Sequence, residues 1–253
     1  MQETIQGTTM PVLEVLLDPG ESVVSENGEF SWMTDTVQLS VGTGGGMGGK
    51  GIMGAVKRAV AGAGFLFNTY TAQGGPGMVA FAAKLPGKIL PIDIAPGGEY
   101  ICHRHGFLAG MPGIEIAPAL QQSFTGGIFG GEGFILQRLS GTGHCWIELW
   151  GVVRAYDLVA GQTMRAHPGH VGLFQASVTF SVQRVPGISN RYMGRDGHHF
   201  VALTGPGRIY LQSMPLPILA GALEPYIDKG DRGGGHSAIE GGAAGGIIGG
   251  LLR

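Results

Sequence analysis

Three stretches of this chain follow one pattern, and their similarity constrains the fold more than any other feature of the sequence. In each stretch, a run of alternating apolar residues reaches a glycine turn, and a second such run follows. The stretches begin at Val12, Ile89 and Val152, and their turn glycines are Gly20, Gly97 and Gly161. Glycine adopts positive φ without steric cost, which suits turns between antiparallel strands. The repetition therefore predicts three similar β units.

The later half of each unit repeats as well. A glycine-rich stretch leads to an apolar run, a G-x-G turn and a second alternating run. The G-x-G turns lie at residues 75–77, 141–143 and 205–207. We predict an all-β fold with units at residues 10–87, 88–150 and 151–218, followed by a C-terminal segment at 219–253.

The first unit carries an insertion, at residues 41–64, that breaks the β pattern. Its second part has apolar residues three and four positions apart. That spacing predicts a short helix, with Lys57 and Arg58 together on another face as candidates for contact with a partner. Its first part, VGTGGGMGGKG, contains G-x-x-x-x-G-K and so is close to a phosphate-binding loop. Such a loop needs a serine or threonine where this chain has Gly51, so we interpret the stretch as a connector.

The composition favours burial between subunits and argues against nucleic-acid binding. Only 13% of the residues are charged and 43% are hydrophobic, whereas a monomer normally needs more charge to cover its surface. The net charge of −2 lacks the basic surplus that binding to phosphate backbones requires. The sequence shows no secretory signal and no apolar run of about 18 residues. Cys102 and Cys145 are expected to be buried thiols in a cytoplasmic compartment.

Three segments together resemble one known family: EVLLDPGESVVSENGEFSWM and VKRAVAGAGFLFNTYTAQG in the first unit, and GGEGFILQRLSGTG in the second. They are similar to bacterial and archaeal members of the altered-inheritance-of-mitochondria, or mitochondrial biogenesis, family, over residues 11–216. The resemblance implies the fold of the tryptophan RNA-binding attenuation protein, a short double-stranded β-helix. It also implies three such units per chain with exchanged strands, and a homotrimer. It brings no catalytic residues with it.

A histidine pair in the second unit supports an alternative hypothesis. Gly97 is followed after five residues by His103-x-His105, as at the start of the cupin metal motif. Alternate positions on a strand would put both imidazoles on one face, so a metal-dependent cupin-like enzyme using His103 and His105 is one hypothesis. The glutamate expected three or four residues later is absent, so our leading interpretation has no metal, no other cofactor and no catalytic residue. Other histidines considered as ligands are His144, His167, His170, His198 and His199.

A second alternative is an RNA-binding ring, which the implied fold suggests. Such a ring needs a basic and aromatic pair at the same position of every unit. The basic residues do not recur in that way. They are Lys57, Arg58, Arg104, Arg138, Arg154, Arg165 and Arg184. Because a shared fold does not by itself imply a shared function, RNA binding is not expected.

The C-terminal segment is apolar at first and then rich in glycine. PLPILAGALEPYI is punctuated by proline and is expected to form a final strand or a docking segment. The tail ends in GGAAGGIIGGLLR, whose candidates for contact with a partner or membrane surface are Ile247, Ile248, Leu251 and Leu252. The leading hypothesis is thus a non-enzymatic oligomeric β protein, a homotrimer. It would act as a scaffold or bind a protein or membrane partner, in the cytoplasm or peripheral to a membrane.

Overall fold

The computed structural model describes residues 1–42, 67–122, 134–184 and 199–226. Within these ranges the chain forms nineteen strands, one short α-helix and two 3-10 turns. The all-β prediction is confirmed. The predicted helix and most of the glycine-rich connector lie outside the described residues.

The described strands comprise an N-terminal strand, β1 Gln2–Gln6, and three sets of six. The first set is β2 Val12–Leu17, β3 Ser22–Glu26, β4 Trp32–Met33, β5 Val37–Gly42, β6 Phe67–Ala72 and β7 Gly77–Ala82. The second is β8 Gly87–Ile94, β9 Tyr100–His103, β10 Phe107–Gly110, β11 Ile114–Gln122, β12 Phe134–Gly141 and β13 Gly143–Trp150. The third is β14 Val153–Leu158, β15 Thr163–Ala166, β16 Val171–Gln175, β17 Thr179–Arg184, β18 His199–Thr204 and β19 Gly207–Gln212. Helix α1 spans Leu216–Leu223, and the 3-10 turns span Pro168–His170 and Glu224–Tyr226.

Each inner sheet joins strands from two sets. The four sheets have the orders β1-β2-β7-β4, β5-β6-β3-β10-β13-β8, β11-β12-β9-β16-β19-β14 and β15-β18-β17. Strand β3 pairs with β10, and β9 pairs with β16, both antiparallel. The second strand of one set therefore meets the third strand of the next. Neighbouring sets are consequently linked by shared sheets.

Core side chains also cross between the sets. In β2 the alternation is regular, with Leu13, Val15 and Leu17 buried on one face. Trp146 belongs to the second set but packs in the apolar cluster of the first. Phe67 belongs to the first set but packs in the cluster of the second. Burial of these crossing side chains stabilises the contact between sets, because apolar surface leaves water on both sides of the boundary.

The turn glycines adopt the conformation that the repeat predicted. Gly20, Gly97 and Gly161 have φ of 87°, 77° and 78°. Side chains other than glycine are strained in this region, so each turn depends on its glycine. These turns join the first and second strands of each set.

The C-terminal apolar segment is a helix, so the expectation of a final strand there is wrong. Pro215 occupies the N-cap position of α1, and Pro217 lies in its first turn, where the missing amide would have no intrahelical partner. The residues that follow are leucine, alanine and isoleucine with a single glycine, and leucine and alanine are good helix formers. No helix among the described residues is long and apolar enough to cross a membrane.

Candidate functional site

The two histidines of the candidate metal pair do not share a strand. β9 ends at His103 and the backbone turns there, with the Gly106 amide donating to the His103 carbonyl over 2.8 Å. His105 lies in that turn, so the predicted placement of both rings on one strand face is wrong. Both rings instead lie near the indole of Trp150, with centroid distances of 4.9 Å for His103 and 6.4 Å for His105.

His103 is buried and neutral at physiological pH. Burial, with a smaller contribution from the nearby His105, lowers its pKa to about 4. The backbone of Glu148 interacts with the ring, but Nε2 has no hydrogen-bond partner among the described residues. A neutral Nε2 can accept a hydrogen bond or bind a metal, yet a metal site needs further ligands.

Those further ligands are not found in the described part of the chain. Within it, no group of three or more histidine, cysteine, aspartate or glutamate side chains is arranged to hold a metal. His144, one of the candidates, lies between two carboxylates. Its Nδ1 is 2.6 Å from Asp93 Oδ1, and its Nε2 is 3.1 Å from Glu3 Oε2, an ion-pair distance without hydrogen-bond geometry. Among the described residues, the donor set that a cupin-like enzyme requires is therefore not assembled around His103.

The remaining sequence candidates fall at other places. His167 and His170 belong to the 3-10 turn between β15 and β16, where His167 caps the amide of Gly169. The candidates outside the described residues are Lys57, Arg58, His198, the His199 side chain, Ile247, Ile248, Leu251 and Leu252. Predictions for those residues stay predictions.

The described arginines serve different local roles. Arg138 pairs with Glu99, with 2.5 Å between Nη1 and Oε2. Arg165 lies over the ring of Phe200, 5.5 Å from its centroid. Neither contact is a base-stacking platform that recurs from set to set, as an RNA-binding ring would require.

Both cysteines are free thiols in the core, as expected. Burial raises the pKa of Cys145 to about 12 and raises that of Cys102 as well. The reactive thiolate is thus disfavoured at both positions.

Sequence reasoning missed a cluster of carboxylates at the boundary between the first and second sets, in which Glu29 and Glu148 are buried and Glu26 is partly buried. Glu26 ends β3, and its Oε1 accepts a hydrogen bond of 2.8 Å from Gln137 Nε2 on β12. Burial raises the pKa of Glu26 to about 7. Glu29, in the turn before β4, is paired with the ammonium group of Lys84, and its pKa is also raised by burial. Glu26 can therefore exchange a proton near neutral pH.

Glu148 ties this cluster to the segment that links the first two sets. It is almost fully buried on β13, and its Oε1 accepts hydrogen bonds of 2.9 Å from the Lys84 amide and from Trp150 Nε1. Gln212 on β19 accepts a similar bond, of 3.0 Å, from the Trp150 amide. A signal for Glu148 existed in the sequence: it is the one charged residue in the apolar run CWIELW.

Main-chain hydrogen bonds connect the segments that lead into and out of successive sets. The Gly87 amide donates to the Thr9 carbonyl over 2.8 Å. The Gly151 amide donates to Pro86 over 2.7 Å, and the Met214 amide to Trp150 over 3.2 Å. We call this series the linker ladder. Each of its hydrogen bonds joins the segment that follows one set to the segment that precedes the same set.

The first and third sets form the two ends of the series of sets, which we call the array. Each has one strand edge without a described partner, although the equivalent edge is paired in the other two sets. β4 pairs with β7 just as β10 pairs with β13 and β16 with β19. Unlike β10 and β16, β4 has no partner on its other edge among the described strands. β15 pairs with β18 just as β3 pairs with β6 and β9 with β12, and its other edge likewise has no described partner. By contrast, β5, β11 and β17 are the fourth strands of the three sets, and each has one edge without a partner among the described strands.

A sequence model of the family described as mitochondrial biogenesis AIM24 matches residues 3–214, which include all nineteen described strands except the first residue of β1. The chain belongs to the AIM24 family. This agrees with the resemblance seen in the sequence. The match ends two residues before α1, so the helix lies beyond the matched region.

Two relatives of this AIM24-family chain come from Streptococcus pyogenes. An uncharacterized protein of serotype M6 is 26% identical over 221 residues, covering 86% of this chain and 87% of the relative. An X-ray crystal structure of a protein from the same species has a TM-score of 0.69 at 24% identity, covering 89% of this chain and 99% of that one. The second likeness bears on the fold alone.

Proposed function

We propose that this AIM24-family chain is a non-enzymatic scaffold that assembles into a homotrimer and binds a protein or membrane partner. One observation carries the proposal. Edges of the kind that join neighbouring sets inside the chain have no partner among the described strands at β4, in the first set, and at β15, in the third. An open edge presents unpaired amides and carbonyls, and is a template for pairing with another chain.

The proposed assembly repeats between copies the pairing already made within each copy. β15 of one copy pairs with β4 of the next, as β3 pairs with β10 and β9 with β16. The three-stranded sheet of one copy thereby merges with the four-stranded sheet of the other. Because the two edges differ, the contact is head to tail, and a ring results when the rotation closes. Three copies in a ring would leave neither edge open.

Side chains near the β4 edge fit a buried contact. Trp32 lies on β4 and is 44% exposed, and Phe30 just before it is also exposed while stacking on Tyr70. Aromatic residues are enriched at the centres of protein interfaces. A short strand flanked by exposed aromatic side chains is thus better explained as an interface than as a free surface.

The non-enzymatic part of the proposal is supported by the way in which the buried polar groups are used. Glu29 is paired with Lys84, and Glu148 accepts hydrogen bonds from a linker amide and an indole. These groups hold neighbouring sets together. The finer fold assignment, to the attenuation-protein-like short double-stranded β-helix, is part of the same proposal. The sheets that join strands of neighbouring sets support it.

The test is the mass of the assembly in solution and its dependence on the β4 edge. Light scattering of the purified full chain is expected to give three chains. Trp32→Asp places a charge in the proposed interface and is expected to produce monomers. Val41→Asp is the matched control. Val41 is exposed on β5, and the edge of β5, like those of the equivalent strands β11 and β17, takes no part in the proposed contact. A wild-type monomer, or a trimer that Trp32→Asp leaves intact, would overturn the proposal.

A further inference from the structure

Helix α1 exposes an apolar surface that the described part of the chain does not cover. The helix contains no charged residue, and none of its residues is buried. Leu216, Ile218 and Leu223 are 36%, 44% and 47% exposed. A helix that is apolar on all sides is normally buried, and an exposed apolar patch of this kind marks an interaction site.

The helix begins beside the turn that follows the strand with the open edge in the third set. Pro215, at its N-cap, packs against the 3-10 turn of Pro168–His170, where a Cβ on Gly169 would lie 3.0 Å from Pro215 Cβ. That turn directly follows β15, the strand with the open edge. The apolar helix and the open edge are therefore parts of one end of the array.

The path of the chain indicates what would lie next to the helix. After β7 the chain passes the turn between β3 and β4 of the first set, where Lys84 pairs with Glu29. It then enters the second set. After β13 it does the same, with Trp150 against His103, and enters the third. After β19 it makes the next step of the linker ladder through the Met214 amide and enters α1 instead. Helix α1 thus lies where the path into a fourth set would begin.

We propose that α1 is a clasp that docks onto the first strand set of a second copy of this chain. The inference rests on the proposed trimer, in which the first strand set of the second copy lies next to the third set of this chain, where a fourth set would lie. The part of the second copy that would come next on the linker ladder is the loop before β2, since its Thr9 carbonyl is the first acceptor of the series. Met10 in that loop is 46% exposed and supplies an apolar counterpart for the helix.

The first test weakens the clasp without touching the strand edges. Ile218→Asp introduces a charge at an exposed position of α1, so the fold is expected to be kept. Sedimentation across a range of protein concentrations is expected to show self-association weakened tenfold or more, as loss of one well-buried apolar anchor predicts. Val41→Asp is the control and is expected to associate as the wild type does.

The second test asks for contact directly. The double variant Met10→Cys and Ile218→Cys is expected to form links between chains under mild oxidation, visible as covalent dimers and trimers on a denaturing gel. The native thiols Cys102 and Cys145 are buried and give the background in the wild type. Each single variant serves as a further control.

The outcomes separate the two proposals. A wild-type monomer overturns the proposed assembly and the clasp with it. A wild-type trimer that Ile218→Asp leaves equally tight, or that gives no cross-link in the double variant, overturns the clasp alone. Binding of the wild type to phosphatidylglycerol vesicles that is lost in Ile218→Asp, with an unchanged trimer, also overturns the clasp and assigns the helix to lipid.

Discussion

Gln137 donates a hydrogen bond of 2.8 Å from Nε2 to Oε1 of Glu26, across the boundary between the first two strand sets. The two residues are 111 positions apart in the sequence. Glu26 ends β3, in the sheet that joins the first and second sets, and Gln137 lies on β12 of the second set, in the sheet that joins the second and third sets. The bond is made to a carboxyl group whose pKa is raised to about 7 by burial, so the boundary between the sets contains a group that titrates near neutral pH.

Glu26→Gln is expected to stabilise the protein above pH 7. The folded state raises the pKa of Glu26 from 4.5 to about 7, so folding favours the protonated form. The resulting destabilisation is absent below about pH 4.5, grows as the pH rises and is complete above pH 7. At about 1.36 kcal/mol per pKa unit it reaches roughly 3 kcal/mol. Glutamine keeps the acceptor for Gln137 without a charge.

Urea unfolding at pH 4 and pH 8, at one protein concentration, measures this effect. The gain from Glu26→Gln should appear at pH 8 and nearly vanish at pH 4. Glu115→Gln is the matched control, because Glu115 is exposed on β11. An equal gain at both pH values would contradict the assignment of a partly buried, titrating carboxyl to Glu26.

His103→Leu is expected to change the pH dependence in the opposite direction. The folded state lowers the pKa of His103 from 6.5 to about 4, so folding favours the neutral ring. The wild type should lose stability as the pH falls through 6.5 towards 4, because the unfolded chain binds the proton more readily. The variant lacks this loss. Any difference in free energy of unfolding by which the variant is less stable than the wild type should therefore become smaller as the pH is lowered from 7 to 4. Denaturant unfolding at several pH values in this range measures it, and a difference that stays constant would refute the prediction.

Glu148→Ala is expected to destabilise the protein by about 3 kcal/mol at pH 7, because it leaves the partly buried Lys84 amide and the buried indole N–H of Trp150 without an acceptor. Glu148→Gln retains an acceptor oxygen and should cost less. Denaturant unfolding measures both variants, with Glu115→Ala as the control, expected to stay within about 0.5 kcal/mol of the wild type. If Glu148→Ala and Glu115→Ala had the same small effect, Glu148 would not stabilise the linker as described.

The fold class was readable from local features of the sequence. Alternation in runs such as Val12–Leu17 depends on the period of two that every strand has, so it predicts a buried face without knowledge of the partner strand. Turn glycines such as Gly97 need positive φ whatever surrounds them. The same local reasoning failed for α1, because a short apolar segment punctuated by proline suits either a helix or a strand.

The polar site was decided by contacts that no local pattern encodes. The spacing of His103 and His105 matches a metal motif, but whether two alternate residues share a face depends on where the strand ends. Here the strand ends at His103, where the chain turns towards β10. The partners of Glu26 and Glu148 come from distant strands and linkers, and their raised pKa values follow from burial that only packing creates.

The sequence by itself determined the β architecture, its turn positions and its family, because strand period and glycine conformation are properties of neighbouring residues. The tertiary structure alone decided which strands are shared between sets, which carboxylates become buried, and that the edges of β4 and β15 have no partner among the described strands. The physical reason is the antiparallel pairing of strands far apart in the chain. Such pairing sets the partners of β3, β9, β4 and β15, and with them the surfaces available to a second copy.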